Sequence, residues 1–74
     1  MTEHQRVVLT KPVAAEHLEP GDVGTVVHVY RDRSAYEVEF TTLEGGTAAV
    51  VTVEATDVRP VRHDEITHAR TFVS

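Results

Sequence analysis

Apolar and polar side chains alternate most regularly between Tyr36 and Thr41, where Tyr36, Val38 and Phe40 interleave with Glu37, Glu39 and Thr41. A period of two is that of a strand with one face on a core and the other in water. The first set is therefore predicted to point inward. Arg6–Thr10 is a β-branched and aliphatic run that stops at Lys11-Pro12, and it reads as the first strand. Val23–Tyr30 reads as the second, with Gly24 marking a bulge or a close backbone approach. Thr47–Val53 supplies a fourth strand with Ala49, Val51 and Val53 inward. Val58–Val61 supplies a short fifth, which Pro60, lacking an N–H, places at an edge or ends.

The connections carry their own signals. Lys11–Asp22 is long, and Pro20-Gly21-Asp22 at its end favours a type II turn, with Pro setting φ and Gly accepting a positive one. Leu18 is the large apolar side chain of this loop and is expected to cap an open end of the core. Arg31–Ser34 is a hairpin loop. Leu43-Glu44-Gly45-Gly46 is another, with the glycine pair supplying positive φ. Glu54–Asp57 is short enough for a single helical turn.

Five short strands, one long loop, two hairpins and a helical turn before the last strand make an all-β chain. Their order is that of a small five-stranded SH3-like barrel with a short C-terminal extension. An open meander that dimerises to cover its face is the alternative. The expected core is Val7, Leu9, Val26, Val29, Val38, Phe40, Val51 and Val53, with Leu18 and Tyr36 as lids. The barrel domain takes residues 1–61. The tail, 62–74, has no strong pattern: a short helix capped by Asp64 and a disordered segment are both open, and Phe72 and Val73 are available to dock on the barrel.

At 74 residues the chain makes one domain, whose small core has little volume to give to a deep catalytic pocket. There is no cysteine, so disulfides, thiolate metal sites and cysteine nucleophiles are absent and a cytoplasmic location is expected. The N-terminal stretch is too polar for a secretory signal, and no segment has the apolar length of a membrane span. The net charge is −5. Residues 1–61 hold five basic side chains (Arg6, Lys11, Arg31, Arg33, Arg59) against ten acidic ones, so the whole excess lies on the barrel. Such a surface repels a phosphate backbone, making nucleic acid a poor partner and a basic protein surface a better one.

The run GDVGTVVHVY, followed by AYEVEF, the turn LEGGT, the strand AAVVTV and then VRPV, resembles the family of small bacterial proteins known as domain of unknown function 4926. The resemblance covers residues 6–61 and implies the SH3-like fold. It carries over no catalytic residues. A G-D-x-G-x-V strand is also similar to KOW-type nucleic-acid-binding segments and to the SH3-like part of the nitrile hydratase β-subunit.

No constellation for chemistry emerges. The Gly21-Asp22-x-Gly24 turn leads into a strand rather than a helix N-terminus, so it is a turn rather than a phosphate cradle. His63, Asp64, Glu65 and His68 are close in sequence, but two imidazoles five residues apart do not share a helical face, and no metal site is expected. Neither serine has a His–Asp partnership. With Phe40 and Tyr36 needed in the core, too few of the four aromatics remain for a polyproline groove or a base-stacking platform. Glu37 and Glu39 point the same way from one strand, and Asp22, Glu54 and Asp57 are candidates to extend that acidic stripe. The expected function is thus a non-enzymatic interaction module, an adaptor, inhibitor or antitoxin-like partner, acting through its acidic surface or a strand edge and without a cofactor. A domain that supports an enzyme encoded elsewhere or binds a small ligand is the alternative, with KOW-like nucleic-acid binding behind it. A homodimer through strand edges or through residues 62–74 is also compatible with the pattern.

Overall fold

The strict alternation at residues 36–40 is what organises the molecule, which is described here over residues 2–73 of a computed structural model. The strands are β1 (Arg6–Leu9), β2 (Val23–Val29), β3 (Ala35–Thr41), β4 (Thr47–Glu54) and β5 (Val58–Pro60). A 3-10 turn at Ala14–Glu16 sits in the long loop, and a second, Ala55–Asp57, leads into β5. All pairings are antiparallel, and the five strands form one sheet in the order β4-β3-β2-β1-β5.

Every strand gives side chains to one cluster: Val7 and Leu9, Val26, then Tyr36, Val38 and Phe40, then Ala49, Val51 and Val53, and Val58, with Leu18 closing it from the loop. A sheet whose inner faces all meet in one core must curl around it, and the fold is accordingly all-β and barrel-like. Apart from the Tyr36 phenol, no polar or charged side chain is buried among the described residues. The expected core holds with one change: Val29 is only partly buried, while Ala49 and Val58 complete the cluster. The register of β2 against β3 shifts between Val26 and His28, so Val27 is the extra residue of a bulge. The shift returns Val29, opposite Tyr36, to the core side, where it packs against the cluster at the end of β2.

Gly24 is not that bulge; it is the close approach. A Cβ placed there would lie 2.5 Å from Val38 Cγ1 and 3.0 Å from the carbonyl oxygen of Glu39. The turn Glu19-Pro20-Gly21-Asp22 is closed by Asp22 N–H donating to Glu19 O at 3.1 Å, with Gly21 at φ 98°, the type II geometry expected. In the β3–β4 hairpin only Gly45 takes a positive φ, 100°, and Gly46 does not. A four-residue turn from Thr42 to Gly45 needs one left-handed position, not two.

Residues 62–73 form no helix. They begin with a turn in which Glu65 N–H donates to Arg62 O at 3.2 Å and the Glu65 carboxylate accepts the Arg62 N–H at 2.7 Å. They then run as a strap without regular secondary structure. Val8 is buried although it points away from the core cluster, and it lines the space beneath the strap, while Phe72 packs against the core cluster itself. Among the described residues no helix is long and apolar enough to cross a membrane.

Candidate functional site

The registers place the outward side chains in rows across the sheet. One row runs Arg6, Thr25, Glu39, Val50, and the next holds Glu37 between His28 and Thr52. The outer face is therefore polarised, with Arg6 and Arg59 toward β1 and β5 and the two glutamates on β3. Glu39 accepts a hydrogen bond from the Thr47 hydroxyl at 2.7 Å, and Glu37 stands beside His28. Neither glutamate makes an ion pair with Lys or Arg among the described residues.

The five carboxylates singled out by sequence do not form one stripe. Glu37 and Glu39 are central on β3, and Glu54 lies exposed at the end of β4 opposite Ala35. Asp57 sits in the second 3-10 turn, paired with Lys11 at 3.3 Å. Asp22 is held by the strap: Arg70 Nε donates to Oδ1 at 2.8 Å and Nη2 to Oδ2 at 2.5 Å, while Nη2 also reaches His17 O at 3.1 Å. Burial pushes the Asp22 carboxyl up, but hydrogen bonds from Arg70 and the Glu19 N–H, with the guanidinium charge, outweigh it and hold the group below its ordinary value. Asp22 and Asp57 are thus drawn into the fold, and of the five carboxylates Glu37, Glu39 and Glu54 make no ion pair among the described residues.

The strap has a second anchor that sequence reasoning did not name. Arg59 on β5 donates from Nη1 and Nη2 to the two oxygens of Glu65, at 2.8 and 2.6 Å. This fork-to-carboxylate geometry is the strong form of the ion pair. The Arg59 hydrogen bonds, helped by the Arg62 N–H, lower the Glu65 pKa to about 2. A carboxylate whose pKa falls on docking contributes fully above its free value of ~4.3 and loses that contribution as pH drops toward the docked value. The strap is therefore expected to stay docked down to about pH 4 and to release between there and about pH 2, Asp22 titrating in the same direction. Phe72 ring resonances moving to free-chain positions across that window, before the barrel unfolds, would show it. Resonances that stay put down to pH 2 would contradict it.

Between the strap and the sheet lies a groove of about 570 Å³, lined by Arg6, Val8, Val23, Leu43, Ile66 and Phe72 among others. Two of its apolar lining side chains, Leu43 at 79% and Ile66 at 94%, are exposed, beside the charged Arg59, Glu65 and Arg70. Among the described residues no group of His, Asp and Glu is placed to hold a metal ion. The sheet itself ends in two unlike edges. β5 is three residues long and finishes at Pro60, whereas β4 has eight residues, no Pro and a single charge, Glu54, at its last position.

Residues 3–60 match the family model described as Domain of unknown function (DUF4926). The chain belongs to that family. The match ends at Pro60, so the DUF4926 region contains the sheet, both glutamates of β3 and the β4 edge, while the strap lies outside it. No curated protein and no solved structure matches the chain at a significant level.

Proposed function

We propose that this chain is a non-enzymatic protein-interaction module, an SH3-like domain that docks a basic surface of a protein partner on the outer face of β3. One observation carries the reading: Glu37 and Glu39 stand side by side on that face with no Lys or Arg paired to them among the described residues, whereas Asp22, Asp57 and Glu65 are neutralised internally. Unpaired like charges on a rigid strand cost little while solvated and give an encounter surface for opposite charge. The test is capture of partners from the encoding cell on the immobilised chain, against a Glu37→Lys/Glu39→Lys chain. The doubly reversed chain is expected to lose at least ten-fold in partner binding at 0.15 M salt while melting within a few degrees of the parent. Equal capture by both chains sinks the docking face. Capture of a metabolite or nucleic acid with no protein sinks the module.

A second reading, small-ligand binding, is favoured by the groove. Its volume falls in the usual range for ligand sites, and Arg6 at its side has no ion-pair partner among the described residues. That chemistry suits an apolar carboxylate. Decanoate is the probe: a rise in melting temperature that Arg6→Gln abolishes supports this reading, and no rise at millimolar decanoate ends it.

A further inference from the structure

We infer that two copies of this chain associate through their β4 edges, joining their sheets into one. The direction of the backbone groups on β4 follows from the pairing. Ala55 N–H donates to Ser34 O at 2.9 Å, and from there the β3–β4 register steps evenly through Ala35↔Glu54, Tyr36↔Val53 and Val38↔Val51 to Phe40↔Ala49. In an antiparallel ladder the bonded pairs alternate. Ala49, Val51 and Val53 therefore turn their N–H and C=O groups to β3, and Val50, Thr52 and Glu54 turn theirs to the open side. These are the residues whose side chains point outward, so the open edge is a row of unpaired backbone groups flanked by Val50, which is 54% exposed.

Natural sheets guard such an edge with Lys, Pro, a very short strand or a bulge. β5 has the short length and the proline; β4 has neither, and its irregularity, between Phe40 and Thr41 in the β3 register, affects only its first residues. From Ala49 to Val53 the edge carries no charge, and its one polar side chain is Thr52.

A second copy fits this edge better than a strand of other chemistry, for reasons of charge and register. Facing residues of antiparallel strands must lie on the same side of the sheet, so self-pairing about Val51 sets Val50 against the partner's Thr52, and Thr52 against the partner's Val50. Each of these pairs exchanges both backbone hydrogen bonds. Inside, Val51 meets the partner's Val51 and Ala49 meets the partner's Val53, which extends the apolar core across the junction. Glu54 falls opposite the partner's Ala48, so no like charges face each other. On the outer face the row reads Glu39, Val50, the partner's Thr52, the partner's Glu37. Three strand spacings separate those glutamates, roughly 14 Å, beyond the screening length of about 8 Å at physiological salt. The edge offers a charged strand nothing to pair with, whereas it offers its own copy a full complement. The inference does not rest on the partner reading, which rests on the Glu37 and Glu39 carboxylates, although Val50 and Thr52 border both surfaces.

Sedimentation equilibrium of the full chain between about 10 µM and 1 mM at 0.15 M salt tests it, alongside Val50→Lys, which puts a guard charge on the edge, and Thr52→Pro, which removes a donor that β3 does not use. The parent is expected to show a monomer–dimer equilibrium that tightens as salt rises from 10 mM to 0.15 M. Both variants are expected to remain monomeric while keeping the parent's circular dichroism. A parent that is monomeric at 1 mM overturns the inference. So does a dimer that survives both substitutions, which would place the contact elsewhere.

Discussion

A Gly24→Ala chain is expected to melt roughly 10–20 °C below the parent. Overpacking a tight interior costs about 1–3 kcal/mol, and in a domain this small each kcal/mol moves the midpoint by about 4–8 °C. The position is at the severe end because the neighbours are hard to move. The added methyl would sit 2.5 Å from Val38 Cγ1, on a short branched side chain, 3.0 Å from the Glu39 carbonyl and 3.0 Å from Phe40 Cε1. Relief requires β2 and β3 to part at the point where Gly24 faces Phe40, or Val38 to leave its fully buried position. Since Glu39 is drawn into the shift, the substitution is also expected to disturb the acidic face. A thermal melt by circular dichroism measures it. A midpoint within about 3 °C of the parent would mean that the two strands do not approach this closely.

Leu9→Ala is expected to cost about 2–5 kcal/mol, from the lost transfer of the side chain and the cavity left behind. For a domain whose whole stability is on the order of 4–11 kcal/mol, that is from about a fifth of the total upward. Leu9 is 1% exposed and lies where the long loop, β1 and β5 meet. Its N–H donates to Asp22 O at 2.8 Å, and its carbonyl accepts from Gly21 N–H at 2.7 Å. Slackening at Leu9 is therefore expected to loosen the Pro20-Gly21-Asp22 turn, and with it the Asp22 anchor of the strap. Ile66→Ala is the control: that side chain is 94% exposed, and its loss is expected to change stability by no more than about 0.5 kcal/mol. Urea midpoints of the two chains separate the cases. Equal midpoints would show that Leu9 does not hold the long loop, β1 and β5 together.

How far the fold could be read from the sequence depended on whether a feature was periodic. Tyr36, Val38 and Phe40 announced both a strand and its buried face, because one face of β3 is packed and the other is wet. Pro20-Gly21 announced its turn for a similar local reason. Val27 did not announce its bulge: Val23–Val29 is apolar at too many positions for a slip of one residue to leave a mark. Val58 was missed as a core residue because a three-residue strand has no period to read. The strap was beyond reach altogether. Arg70 and Asp22 lie 48 residues apart, and nothing local distinguishes an arginine that will clamp a distant carboxylate from one that is merely solvated.

The acidic site was legible in part for the same reason. Glu37 and Glu39 were placed together by the period of β3, and they do share its outer face. Asp22 and Asp57 carry the same charge, but tertiary pairing with Arg70 and Lys11 draws them into the fold. Composition counts carboxylates; only the structure shows which are already spoken for.

Amide chemical-shift mapping of the labelled chain, titrated with a captured partner, tests the docking face most directly. If the outer face of β3 is where the partner binds, the largest shifts fall on Glu37 and Glu39 and on their row neighbours Thr25, Val50 and Thr52, and they shrink as salt is raised. Shifts confined to Val8, Leu43, Ile66 and Phe72, with β3 unmoved, would contradict it and place binding in the groove under the strap.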